Sequence, residues 1–287
     1  MRIKREDLNI RDPFILRVEN KYYLFGTTDA DKWDGSASGF DVFESDDLEN
    51  FEGPFPAFRR PPDFWADTNF WAPEVHFYRG RYYMLAAFRK TGGTRRCQIL
   101  VSDTPKGPYA VYAPPFTPDG QMCLDATLYV EDGKPYMVYC REWIEVGDGE
   151  MRLVPMSADL KTTAGESKLL FRASEAPWVV PAAKASDFIT DGPFVVRAGD
   201  GALIMLWSSA GKDGYAMGQA RSIGGIFGSW IHESEPLIKN DGGHGMIFQK
   251  ADGTVCMTYH YPNMPAGSER FHYKEVRIKK GKLVLSD

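Results

Sequence analysis

Ile10-Arg11-Asp12-Pro13-Phe14-Ile15-Leu16 sets a pattern that the chain repeats: an acidic residue, a proline, then apolar and β-branched residues leading into Tyr22-Tyr23-Leu24-Phe25. Ala72-Pro73-Glu74-Val75-His76 answers it, then Asp125-Ala126-Thr127-Leu128-Tyr129, then Gly192-Pro193-Phe194-Val195-Val196 behind Asp191, then Gly243-His244-Gly245-Met246-Ile247. After each copy comes a turn and a second apolar run. A recurrence of roughly 50 residues with strand-type content reads as a radial or solenoid β architecture.

Each unit divides into four strands. In the first, Phe14 to Val18 opens, Lys21 to Thr27 pairs with it, and Phe40 to Ser45 follows. Third strands recur at Cys97 to Ser102, Met151 to Ser157 and Tyr215 to Ser222. Asp132-Gly133, Asp200-Gly201 and Asp252-Gly253 carry the turn chemistry of tight hairpins. Helical periodicity is nearly absent, with short helical turns expected only near 61–66. Four antiparallel strands repeated five times predict an all-β, five-bladed β-propeller, read as one domain over residues 1–287. In that fold the opening strands are innermost. Their N-terminal ends converge, which brings Asp12, Asp125 and Asp191 to one rim. One Asp before a strand is an ordinary turn residue; three in one register point to a shared site.

Composition narrows the classes. The net charge is −5 with both signs interspersed, without the basic stripe of a nucleic-acid binder. No apolar stretch is long enough to make a transmembrane helix. The charged N-terminus lacks an apolar leader core, so a cytoplasmic protein is expected, or a secreted or periplasmic one whose signal peptide has been removed. Cys97, Cys123, Cys140 and Cys256 show no metal-site spacing and read as buried free thiols. Aromatic residues make up 14% of the chain; strand propensity explains most of them, and sugar stacking is the further use they suggest.

The segments Arg11-Asp12-Pro13, Trp71-Ala72-Pro73-Glu74-Val75, Asp125-Ala126, Gly192-Pro193-Phe194 and Gly243-His244-Gly245 together resemble glycoside hydrolase family 43. These are five-bladed propeller enzymes that cleave arabinose- and xylose-containing glycans. The resemblance implies a general base at Asp12, a pKa-raising and orienting carboxylate at Asp125, and a general acid at Asp191. It also implies substrate contacts from Trp71, Glu74 and Arg270, no required cofactor, and a calcium-type ion near the axis supported by His244. One position departs from the family pattern: the acid is a Glu before Gly-Pro there and an Asp here, shorter by about 1.5 Å of reach. Three readings follow. Asp191 serves as the acid, another carboxylate such as Glu175 stands in, or the protein binds sugar without cleaving it; the first is adopted. Trp71 either stacks on the sugar or packs between blades.

The expected activity is inverting, exo-acting release of α-L-arabinofuranose, or β-xylosidase action, on plant polysaccharide-derived glycans. Other family specificities (β-galactofuranosidase, exo-β-1,3-galactanase, endo-arabinanase) and a non-catalytic carbohydrate-binding propeller are the alternatives. The exo preference rests on polar, Gly- or Pro-rich stretches at 29–38, 61–71, 113–123, 142–150 and 261–270, expected to wall the active rim into a pocket.

Overall fold

The computed structural model describes residues 2–33 and 35–286 and consists of five antiparallel sheets. The first is built from β1 (Arg2–Lys4), β2 (Arg11–Val18), β3 (Lys21–Thr27), β4 (Gly39–Ser45) and β5 (Asn50–Arg59), with β1 added outside β5. The second holds β6 (Thr68–Tyr78), β7 (Arg81–Arg89), β8 (Arg95–Ser102) and β9 (Ala110–Val111). The third holds β10 (Cys123–Glu131), β11 (Lys134–Arg141), β12 (Glu150–Pro155) and β13 (Lys168–Arg172). The fourth holds β14 (Asp191–Arg197), β15 (Leu203–Gly211), β16 (Gly214–Ser222) and β17 (Trp230–His232). The fifth holds β18 (Ile247–Gln249), β19 (Val255–Tyr261), β20 (Arg270–Lys279) and β21 (Lys282–Leu285). Each sheet runs in sequence order from its inner strand outward, β1 excepted, which is the five-bladed propeller that the repeats predict.

Two sequence expectations change. The stretch 61–66 forms no helix; a short helix α1 lies at Trp143–Val146, and single 3₁₀ turns at Arg5–Asp7 and Ala173–Glu175. The fifth copy, Gly243 to Ile247, lies mostly ahead of β18, tied by a bridge from Gly243 to His260 and by hydrogen bonds from His244 N to Ser208 Oγ and between Met246 and Thr258.

The repeat has a geometric cause. Asp12, Ala72, Asp125, Gly192 and His244 share one left-handed backbone conformation, with φ of 55°, 46°, 52°, 53° and 49°. At the first four, the pairing of the inner strand with its neighbour shifts register. Each is a bulge that re-aims a side chain next to the axis, where one such conformer costs a non-glycine residue about 1–2 kcal/mol. Gly192 has no choice of side chain, because a Cβ there would lie 2.8 Å from the His244 ring.

The apolar core lies between blades rather than in one centre. Tyr83, Leu85, Ile99, Met137 and Tyr139 join the second and third blades. Tyr136, Phe171, Trp178 and Trp207 join the third and fourth, and Ile204, Met217, Met257 and Val276 the fourth and fifth. The fifth and first blades close the ring without sharing a strand. Thr258 Oγ1 donates to Pro13 O at 2.8 Å, Ala251 N to Tyr22 Oη at 2.9 Å, and Ile10 N to Glu269 O at 3.3 Å, with Phe51 edge-on to Phe271. All four cysteines are free and buried.

Candidate active site

The rim at the start of the inner strands holds a cavity of about 330 Å³. Asp12, Asp125 and Asp191 line it together, joined by Arg11, Tyr215 and His244. Around them stand Lys32, Trp33, Trp71, Arg95, Glu142, Trp143, Ile144, Ile189 and Asn263. Four of the five expected loops contribute to this wall. The stretch 113–123 does not, and Ile189 comes from a segment that the sequence analysis passed over.

Asp12 is built to stay ionised. Thr27 Oγ1 donates to its Oδ2 at 2.7 Å, while its Oδ1 lies 3.1 Å from His244 Nδ1 and 3.4 Å from Arg11 Nε. Burial alone would raise this carboxyl, but His244, Arg11 and the Thr27 hydroxyl outweigh it and hold it at about 2. His260 also lies 3.6 Å away, yet burial keeps that imidazole well below the usual histidine range, so its ring is neutral. Its Nδ1 accepts the Asp12 N–H at 3.3 Å, which puts the ring proton on Nε2, facing Asn263 Oδ1 at 3.2 Å.

Asp191 and Asp125 go the other way. Burial pushes the Asp191 carboxyl up to about 7, Asp125 adds to the rise, and His244, Arg11 and Tyr215 pull against it. Burial and then the Asp12 charge push Asp125 well above the usual carboxylate range, against one N–H, from Gly192, donated to its Oδ2 at 3.0 Å. The sequence analysis gave Asp125 the part of raising Asp191. It does so in second place, after burial, which leads for both carboxyls, so the two resist ionising together and Asp12 carries the standing negative charge.

Trp71 sits in the cavity wall, packed among protein groups. The Arg95 guanidinium lies 3.8 Å from its ring centroid, its indole N–H donates to Lys32 O at 2.6 Å, and Trp33 meets it edge-on at 5.2 Å. Behind it, Arg95 is salt-bridged to Glu142 and donates to Asn69 Oδ1 at 3.1 Å. Asn69 in turn donates to Trp33 O at 2.6 Å, which ties the 29–38 segment to the wall.

Two expected substrate contacts, Arg270 and Glu74, need correction. Arg270 does not line the cavity; its guanidinium donates to Glu269 O at 3.0 Å. Alternation along the strand sends the preceding side chain inward instead, and the buried Glu269 carboxylate lies 3.4 Å from Lys32 Nζ and 3.6 Å from Arg11 Nη1. The cation that reaches the carboxylates is Arg11. Glu74 sits off the cavity, 2.9 Å from His76 Nε2, beside a small hollow shared with Asp12 and His244. His244 directs Nδ1 at Asp12 and, at 3.6 Å, at Asp125. Among the described residues no group of three or more His, Cys, Asp or Glu side chains is spaced to hold a metal. Glu175, the stand-in acid, lies outside the cavity and accepts the Arg172 N–H at 2.7 Å.

Sequence reasoning missed Tyr215, Arg95, Glu142 and Lys32 as site residues. Glu142 and Lys32 carried a signal, since both lie in expected wall loops. Arg95 and Tyr215 stand at the rim ends of third strands, where the repeat gives no register clue.

The sequence profile of Glycosyl hydrolases family 43 matches residues 7–282. Among solved structures, the endo-arabinase from Bacteroides thetaiotaomicron VPI-5482 is 42% identical, with a TM-score of 0.90 over 98% of each chain. Xylosidase/arabinosidase 43A of Humicola insolens is 33% identical over 85 residues, 28% of this chain and 24% of that protein. Alpha-L-arabinofuranosidase 43 of the same organism is 22% identical over 222 residues, 66% of this chain and 42% of that protein. The chain thus spans less than half the length of these curated relatives.

Proposed function

This chain belongs to Glycosyl hydrolases family 43, and from that premise we propose that it hydrolyses α-L-arabinofuranosyl linkages of arabinan-type glycans with inversion. Asp12 is the base that deprotonates water, and Asp191 is the acid that protonates the departing oxygen. The observation that carries this reading is the opposite tuning of two carboxyl groups in one cavity: Asp12 at about 2, Asp191 at about 7. Hydrolysis needs that pair of states at one pH, a carboxylate to take a proton and a carboxylic acid to give one. A binding module has no use for the difference.

Asp125 acts through its neighbours. It accepts the Gly192 N–H, faces His244 and raises Asp191, so it keeps the proton on the acid. Arg11 and Thr27 hold Asp12 in its ionised orientation. Trp71, backed by Arg95, offers a fixed ring to the apolar face of a sugar. A cavity of about 330 Å³ closed by Trp33, Trp143 and Asn263 suits a chain end, hence exo action. The 42% identity to a protein named an endo-arabinase favours a second reading, internal cleavage of arabinan.

The test is turnover of 4-nitrophenyl α-L-arabinofuranoside and β-D-xyloside, and of linear arabinan, by wild type and Asp12→Asn. Arabinose as the only early product supports exo action, and a ladder of oligosaccharides supports the endo reading. Turnover of the xyloside alone would overturn the arabinan assignment. Turnover that survives Asp12→Asn would remove Asp12 as the base.

A further inference from the structure

Tyr215 stands at the start of β16, two strands away from the inner strand that carries Asp191. It is nevertheless buried in the cavity wall, and its hydroxyl donates to Asp191 Oδ2 at 3.0 Å. Its placement is over-determined. The ring stacks on His260 at 5.6 Å with an interplanar angle of 14°, the Arg11 guanidinium lies 5.8 Å from its centroid, and its N–H donates to Asp241 Oδ1 at 3.3 Å. Room for the ring comes from Gly243, where a Cβ would lie 2.6 Å from it. Among the described residues, Asp191 Oδ1 receives no hydrogen bond, and it is the oxygen left to the cavity.

We infer that Tyr215 is the positioning residue of the proton donor: by donating to Oδ2 it fixes the Asp191 carboxyl in one rotamer and leaves Oδ1 as the oxygen that carries the transferable proton. The inference rests on the reading of Asp191 as the acid. A neutral carboxyl has a carbonyl oxygen that accepts and a hydroxyl that donates. Among the described residues the one hydrogen bond of this phenol is its donation to Oδ2, which makes Oδ2 the carbonyl and places the O–H on Oδ1. Burial and the neighbouring Asp191 keep the phenol well above its ordinary pKa, so it remains a donor throughout the working range. In the reaction the Oδ1–H bond breaks as the proton passes to the glycosidic oxygen. The carboxylate that forms keeps the Tyr215 hydrogen bond, now to a charged acceptor and therefore stronger. The short side chain of Asp191 is thereby given a fixed aim from two strands away.

Tyr215→Phe keeps the ring and its stacking and removes only the hydroxyl. Loss of a donor to the carboxylate form disfavours ionisation, so the Asp191 titration, followed by carboxyl-carbon NMR with Asp191→Asn as the assignment control, should move to higher pH. The alkaline limb of kcat/KM should move with it. Turnover of arabino-oligosaccharides should fall roughly tenfold more than turnover of an activated aryl arabinofuranoside, whose leaving group needs little proton assistance. Gly243→Ala, which crowds the ring without touching the hydroxyl, should shift the titration the same way. A wild-type Asp191 that titrates in the ordinary carboxylate range would end both the acid reading and this inference. A wild-type value near neutrality that neither variant moves, with equal losses on both substrates, would end the inference about Tyr215 alone.

Discussion

Replacing Asp12 by Asn removes the proton acceptor and the buried charge that faces Arg11 and His244, while the amide keeps the size of the carboxyl and can still accept from Thr27. Hydrolysis should drop by about 10²–10⁴-fold, the usual share of a general base, with the circular dichroism spectrum unchanged and the thermal midpoint lowered by the lost charge pairing. Asp191→Asn carries a second, thermodynamic signature. In the unfolded chain an Asp ionises near 4, but in the fold this one does so only at about 7. Between those values the folded state binds the extra proton, so wild-type stability falls as pH rises through that window. Asn has no such term. The variant's stability relative to wild type should therefore be constant below about pH 4, rise between about 4 and 7, and level off above, as read from urea midpoints across the range. A flat difference would mean that burial does not raise Asp191. The three carboxylates that meet in the cavity were legible in the sequence because each sits at, or one residue before, a fixed register of the repeat. Arg270 was misassigned by one residue because a strand alternates faces, and which of Glu269 and Arg270 points inward depends on the seam with Asn9, which no local pattern encodes.

At the scale of strands, the repeated left-handed residue is what the sequence recorded as a motif without revealing its shape. Acidic residues, Ala, Gly and His share that position because the constraint is on the backbone, and the side chains differ by what each must reach. The hairpins show the same division. Asp132-Gly133 has positive φ at both residues, the geometry that an Asp-Gly turn predicts, whereas Asp200 and Asp252 instead accept the N–H two residues on, at 3.1 and 2.9 Å. Glycine is indispensable where strands meet backbone to backbone. At Gly245 a Cβ would lie 1.6 Å from Thr258 O, an atom that cannot swing aside. Gly245→Ala should force the last inner strand off its neighbour and lower stability by several kcal/mol, at the severe end for a point substitution. A melting temperature within a degree or two of wild type would show that the strand relaxes freely. The wall elements were the least legible. Lengths and composition marked the loops, but which of them bends inward is decided by contacts such as Asn69 to Trp33 that span separate segments.

Across the whole molecule, blades hold one another through apolar interfaces and a few buried polar ties. The tie between Arg95 and Glu142 links the second and third blades and is out of contact with water on nearly every side. Glu142→Ala would leave a buried guanidinium without its counter-charge, and truncating one partner of such a pair typically costs about 3–5 kcal/mol. In a chain of this size that is a fall in melting temperature on the order of 10 °C, measurable by calorimetry; replacing both partners by apolar residues should recover part of it. The propeller was legible from the repeat count, yet the manner of its closure was not, because the closing contacts join residues from opposite ends of the chain and have no local signature. That manner of closure sets when the protein becomes competent during its own synthesis. Asp12 leaves the ribosome long before the ring that takes its N–H and the hydroxyl that grips Pro13, those of His260 and Thr258, which lie about 250 residues further along the chain. A growing chain holds a nearly complete set of blades with an unfinished centre, so activity appears in one step, when the final blade docks, and does not build up with length.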